Sequence, residues 1–322
     1  MVFASSKYWV PKPVTDVVTV KNLNKEDKLG KILFIISIIT LLYVSYIGFT
    51  KLGMWYDEIY SLGMVKSPFN DFINFAFLDV HPPLYYLIFK VFYKIGVFFG
   101  INPIIIGKFT SLLPFYLILV LAATKVRKNW GCLTAGLFAF CIVTMPQLMN
   151  FAVELRMYSW GLFFVTASFI YAYDILNKNS TWKSWGILTL LTIASAYTHY
   201  FSAVASFVIY LFLLADLIRN NKKELKKYFT SAIIAILSFT PWLIILKQQT
   251  ASVSSSYWIA PITLNRILGY FWFVLSPDNQ VINANQIAAF SVFDFLLSLL
   301  ISSIRLGFVL IIFLTIIYFL LH

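Results

Sequence analysis

The chain is a succession of apolar stretches, each long enough for a helix and cut from the next by a short polar break. They fall at 32–50, 83–99, 104–124, 130–149, 157–175, 184–198, 201–218, 228–246, 286–302 and 304–322. In lipid such a segment must satisfy its own backbone polar groups, and a single segment does so only as a helix. Over the whole sequence 60% of residues are hydrophobic and 12% charged, with a mean hydropathy of +0.82, more apolar surface than one water-facing domain could cover. These features predict an all-α, polytopic membrane protein.

A net charge of +12 would also suit a nucleic-acid surface. The Lys and Arg residues, however, sit in short runs between apolar stretches, which is how membrane proteins bias their cytoplasmic loops. No nucleic-acid partner is expected. Residues 1–31, with Lys7, Lys12, Lys21, Lys25, Lys28 and Lys31, read as a loosely ordered cytoplasmic tail. Residues 32–322 read as one transmembrane domain whose outer loop, about 51–103, carries juxtamembrane helices. The first apolar stretch reads as an uncleaved start-transfer helix.

The charge bias also decides how the stretches cross. If 83–99 and 104–124 both spanned, Lys125, Arg127 and Lys128 would lie outside, against the bias. The stretch 83–99, with Lys90 and Lys94 one turn apart on one face, is therefore expected to lie in the interface, and 104–124 to span. The bland alternative is a hairpin of two spans. Pro82 and Pro83 suit a helix start, where a missing amide donor costs nothing. Residues 257–285 are expected as outer-face structure, with 286–302, containing Asp294, and 304–322 as a final pair of spans. The ending at Leu321-His322 is expected to mark a shortened form of a larger architecture. Cys132 and Cys141, roughly 13 Å apart along a helix axis, read as apolar filler. The sequon Asn179-Ser180-Thr181 is expected inside and bare.

With this topology the ionisable motifs collect at the outer ends: Asp57-Glu58 after the first span, Asp79-Val80-His81-Pro82-Pro83, Glu154-Leu155-Arg156, and His199 between Thr198 and Tyr200. Part of this is automatic, because sorting basic residues inward leaves acidic ones outside. Taken singly, each residue is as well explained by an interfacial salt bridge, a capped turn or an aromatic belt. Taken together they suit a reaction site. A carboxylate near an apolar wall can be tuned as a general base or can help hold a divalent cation. Asp57 is the candidate base, with Glu58 as its companion pointing elsewhere. His81, aimed by the prolines, can contact a phosphate or a metal. Glu154 and Tyr158 are expected to share a helical face, and Arg156 can grip a phosphate through paired donors. A divalent cation, Mg or Mn, would be held through Asp57 and His81. The aromatics Trp55, Tyr56, Tyr85, Tyr86 and Trp258 can stack on a sugar or prenyl chain, or simply form an interfacial belt.

Asp57-Glu58, then Asp79-x-His81-Pro-Pro-Leu-Tyr-Tyr, then Glu154-x-Arg156-x-Tyr158 resembles glycosyltransferases of the GT-C class. The likeness, over about residues 30–260, is to the bacterial and archaeal branch related to dolichyl-phosphate-mannose–protein mannosyltransferases. It implies a GT-C-like helical bundle that moves a sugar, with inversion, from a polyprenyl-phosphate donor to a hydroxyl on a lipid, glycan or protein acceptor at the extracytoplasmic face. It also implies that Asp57 is the catalytic carboxylate with Glu58 beside it. Arg156, His81 and Lys108 would meet the donor phosphate, and Asp79, Glu154, Tyr158 and His199 would line the cavity. Two other readings compete: a non-catalytic shortened relative acting as a membrane subunit, and a transporter or flippase for lipid or solute.

Overall fold

In the computed structural model, which describes residues 17–177 and 180–255, every regular element among the described residues is a helix. Four of these helices are long and apolar enough to cross a membrane, or five if one bent pair is taken as a single span. The chain is therefore a multi-pass membrane protein. Asp294, Arg305, Trp258 and the expected elements at 257–285, 286–302 and 304–322 lie outside the described residues, as does Asn179.

Helix α1 (Val17–Thr50) begins well before the first apolar stretch. The segment expected as a loose tail is thus partly helix, and the span reads Lys25–Thr50. The reason is packing: Gly30 is buried against α6 (Arg127–Thr144). A Cβ on Gly30 would collide with the Cys132 carbonyl, and one on Gly136 with the carbonyl of Gly30. Two glycines at the crossing let the backbones touch, the usual route to tight helix association in lipid.

The longest apolar run, Pro103–Thr144, has 42 residues. Straight, it would be about 63 Å long, roughly twice a bilayer core. It is not straight. Helix α5 (Pro103–Leu121) passes through a π-helical turn (Ala122–Val126) into α6, and Gly131 breaks the path with φ 89° and ψ 174°. Only glycine takes that φ without strain. Beyond it the chain returns, so Leu112 and Phe115 of α5 share a core with Ala139 and Val143 of α6, Leu41 of α1 and Ala152 of α7 (Pro146–Val153).

Helices α8 (Tyr158–Asn177), α9 (Trp182–Thr198), α10 (Tyr200–Asn220) and α11 (Leu225–Phe239) continue the bundle. Trp185, Leu188, Tyr210, Leu213 and Tyr228 form their shared core. The expected span at 228–246 is broken. Helix α11 stops at Thr240-Pro241 and α12 (Trp242–Ser255) leaves at 55°. Thr240 keeps helical dihedrals and its amide still donates into α11, but Pro241 has no N–H to continue the ladder.

Between α1 and α5 lie three shorter helices, α2 (Tyr56–Lys66), α3 (Phe69–Leu78) and α4 (Leu84–Phe98), none of them a candidate span. Helix α4 is the stretch expected to lie in the interface, but its lysines do not form the expected polar face. Lys94 is exposed, whereas Lys90 is buried and donates to the Val65 and Ser67 carbonyls at 3.0 and 2.7 Å. It closes the C-terminus of α2, where free carbonyls attract a cation. Tyr85, Tyr86 and Phe89 of α4 are fully buried against Leu155, Met157 and Trp160.

The glycine crossing gives a test. Gly136→Val forces α1 and α6 apart and should cost about 1–3 kcal/mol, as overpacking does, seen as a lower thermal unfolding midpoint in detergent micelles. Gly186→Ala, on an exposed face of α9 with open space around it, should leave the midpoint unchanged or slightly raised.

Candidate functional site

The two ends of the bundle differ in chemistry. At one end lie Lys25, Lys28 and Lys31 of α1, the basic run Lys125-Arg127-Lys128, and Lys222, Lys223, Lys226 and Lys227. Two carboxylates here are in short ion pairs: Lys125 donates to Asp174 at 2.6 Å, with Asn129 on the other Asp174 oxygen at 2.5 Å, and Lys227 meets Glu224 at 3.0 Å. The opposite end gathers α2, α3, the Asp79–Pro83 turn, the α7–α8 junction and the α9–α10 junction.

Glu58 organises that opposite end. It lies on the first turn of α2 and is only 5% exposed. One carboxylate oxygen accepts from the Trp55 amide at 3.0 Å, satisfying a free donor at the helix start. The other accepts from the Leu155 amide, also at 3.0 Å. A single carboxylate thus ties the beginning of α2 to the α7–α8 junction. The neighbouring Asp57 faces another way, is about one-third exposed, and reaches the Arg156 guanidinium at 3.6 Å.

The junction itself departs from expectation. Glu154 and Tyr158 were expected on one helical face, yet Glu154 is extended (φ −84°, ψ 133°) and the Arg156 amide donates to the Glu154 carbonyl at 2.7 Å in a tight three-residue turn. The helix gives way because the Leu155 amide is taken by Glu58. Trp55 then donates from its indole to Glu154 at 3.1 Å.

Arg156, 4% exposed, is the centre of the cluster. One terminal nitrogen donates to the Ser61 hydroxyl and the Tyr86 phenol, both at 3.3 Å. The other faces His81 Nδ1 at 3.4 Å and Asp57 at 3.6 Å. Its Nε has no acceptor in hydrogen-bonding geometry, although the Tyr158 phenol lies beside it. Burial opposes the guanidinium charge, but the phenols of Tyr86 and Tyr158 and the carboxylates of Asp57 and Asp79 outweigh it and raise its affinity for the proton. The cation is therefore permanent.

His81 Nδ1 faces Asp79 as well as Arg156. Asp79 Oδ2 lies 3.5 Å from its Nδ1, and burial of Asp79 is overcome by the His81 ring, the Tyr86 phenol and the Val80 amide, which hold its carboxyl below the usual range. Pro82 is buried and Pro83 caps α4, fixing the turn. The His81 ring lies 5.4 Å from His199, which is 5.8 Å from Tyr158, itself 4.8 Å from Phe151. His199 caps α10 by accepting from the Phe201 amide at 3.2 Å. Burial, then His81 and Arg156, lower its imidazolium to about 4, so it is neutral at pH 7.

Asp57, Asp79, His81, Arg156, Tyr158 and His199 thus share one cluster, with Glu58 and Glu154 along its edge. Lys108 stands apart. It is buried near the start of α5 and donates to the Val153 carbonyl at 3.4 Å. It reaches the end of α7, outside the set of side chains that touch Arg156. Ser61 and Tyr86 enter as ligands of Arg156 that were not singled out for that role. Ser61 was legible in one respect, since it follows Asp57 by one helical turn and so shares its face.

The expected Asp57–His81 metal site does not fit this geometry. Both side chains face the Arg156 guanidinium, and a second cation placed between them would be repelled by it. Among the described residues no group of three or more His, Cys, Asp or Glu side chains is placed to hold a metal.

No protein-family model, no curated protein and no solved structure matches this chain.

Glu154 gives a pH test. Burial, then the nearby Glu58 charge, lift its carboxyl from 4.5 to about 7. Between those values the folded chain holds a proton that the unfolded chain has lost, so stability falls as pH rises through the window. His199 acts in the opposite sense between about 4 and 6.5. Comparison with Glu154→Gln separates the two. The variant should gain on the wild type between pH 5 and pH 8, by on the order of 1 kcal/mol in thermal or denaturant unfolding. Glu58→Ala should be destabilised by about 2 kcal/mol or more at every pH, because two backbone donors lose their acceptor.

Proposed function

We propose that this chain is a membrane glycosyltransferase that takes a sugar from a polyprenyl-phosphate donor and passes it to an acceptor hydroxyl. The observation that carries the reading is the Arg156 centre: a buried, permanent guanidinium with a histidine and a partly exposed carboxylate beside it, at one end of a lipid-embedded bundle. A lipid-linked phosphate approaches such a place from the bilayer, and a guanidinium binds its oxygens through paired donors. The basic residues of the other end suit the cytoplasm, which supports a site on the extracytoplasmic face. The motif resemblance points the same way and suggests a GT-C-like arrangement.

The chemistry follows from the charges. The acceptor oxygen attacks the anomeric carbon as the carbon–oxygen bond to phosphate breaks, and the phosphate leaves with the electron pair. Arg156 stabilises the growing phosphate charge, in a setting where fixed donors are worth more than in water. Tyr86 and Ser61 hold the guanidinium in place from the protein side. Asp57 accepts the proton of the acceptor hydroxyl. Attack from the face opposite the leaving phosphate inverts the configuration at that carbon. Asp79 keeps His81 oriented toward Arg156, and Glu58 fixes the turn that presents it.

Membranes containing the chain, given radiolabelled polyprenyl-phosphate mannose or glucose, should release polyprenyl phosphate and label an acceptor. Arg156→Ala should lower that rate about 100-fold or more, and Asp57→Asn by a similar factor. Arg156→Lys should recover little, because a point charge cannot replace the planar fork. Unchanged release in Asp57→Asn and Arg156→Ala would remove this reading.

A further inference from the structure

A cavity of about 220 Å3 opens at the basic end of the bundle, between α1 and the returning limb of α6, lined by Gly30, Lys31, Phe34, Ala123, Arg127 and Gly136 among others. It lies at the end opposite the Arg156 cluster. We propose that it binds an anionic phospholipid, with the upper part of one acyl chain in the cavity and the headgroup phosphate between Lys31 and Arg127.

Three observations support this. The first is the lining. The walls are almost wholly apolar, so Lys31 and Arg127 contribute their hydrocarbon stems and carry their charges at the mouth. Both residues are exposed, and among the described residues neither belongs to an ion pair. The contrast with Lys125, two residues before Arg127, is direct. Lys125 lies in the π-helical turn, where Asp174 and the Tyr171 ring hold its ammonium. The turn therefore sends its own cation inward to a fixed carboxylate, while Arg127, at the start of α6, stays at the cavity mouth.

The second observation is how the space is made. The glycine contact brings α1 and α6 together backbone to backbone at Gly30 and Gly136. The π-helical turn and the break at Gly131 displace the neighbouring backbone from a regular helical path. The small side chains of Ala123, Cys132 and Ala135 do not refill the space. The third is the surroundings. Phe34 and Ile35 continue the lining along α1, and the adjacent α1 surface is exposed and apolar at Ile32, Ile36 and Ile39. An apolar occupant that enters from the bilayer and ends in an anion matches this sequence of surfaces. Positive pockets between spans at a cytoplasmic surface are suited to anionic lipid headgroups.

The full chain, purified in neutral detergent, should retain about one phosphatidylglycerol in native mass spectrometry and little phosphatidylcholine. Added phosphatidylglycerol should raise its thermal midpoint, and phosphatidylcholine should not. The Lys31→Gln/Arg127→Gln double variant should lose retention at least fivefold. Ala123→Phe, which fills the cavity but keeps both cations, should lose it equally. Lys66→Gln/Lys94→Gln, which removes exposed lysines remote from the cavity, should retain lipid as the wild type does. Millimolar glycerol 3-phosphate should not displace the lipid. Equal retention of phosphatidylcholine, full retention in the Lys31/Arg127 variant, equal loss in the Lys66/Lys94 control, or displacement by glycerol 3-phosphate would each overturn the proposal. If Ala123→Phe does not fold, the charge variants decide alone, since their substitutions are on the surface.

Discussion

The arrangement of this molecule rests on one buried carboxylate. Glu58 accepts a backbone amide from its own helix start and another from the α7–α8 junction. Neither donor has a helical partner, and leaving either unsatisfied in an apolar setting would cost more than an ordinary hydrogen bond is worth. The loop helices are therefore anchored to the bundle by main-chain bonds rather than by side-chain packing alone. The Leu155 amide, once committed to Glu58, cannot serve the helix. The chain turns there, and Arg156 is delivered into the interior beside Tyr86 and Ser61. Lys90 performs a related task at the other end of α2, closing its free carbonyls. The same helix is thus pinned at its start by an acid and at its finish by a base, in the sense its dipole favours.

The sequence disclosed the helical architecture well, because the apolar periods in lipid leave little choice. It also disclosed the gathering of Asp57, His81 and Arg156 at one end, since charge bias and loop position are one-dimensional properties. What it hid was local competition for backbone groups. Nothing in Glu154-Leu155-Arg156 says that the helix breaks there, for the partner that breaks it lies almost a hundred residues away. Lys90 and Lys94 looked equivalent by spacing, yet one fills a helix end and the other meets the surroundings. Lys108 looked like a phosphate ligand by position and turned out to reach a main-chain carbonyl. The break at Thr240-Pro241, by contrast, was readable: a proline without a donor stood within the expected span.

Polar chemistry at the two ends follows different rules. At the basic end, ion pairs are short and closed, as with Lys125 and Asp174 at 2.6 Å. Such pairs hold helices in register and leave no charge for another molecule. Around Arg156 the contacts are longer, from 3.3 to 3.6 Å, and shared among four partners. A buried cation with several loose partners can exchange one of them without losing the rest, whereas a closed pair cannot.

That looseness makes the resting state self-occupied. Asp57 sits where an incoming anion would have to sit, so any such molecule must first outcompete a tethered carboxylate. A small monovalent anion offers little over the resident group and gains no foothold. A phosphodiester head on a long greasy tail carries the same single charge but adds an anchor in the bilayer, which holds it at the site while it competes. In the proposed reaction an evicted Asp57 would lose its counter-charge and take the proton of the acceptor hydroxyl. Seating of the cargo and arming of the acid–base group would then be one event, set by a single exchangeable bond.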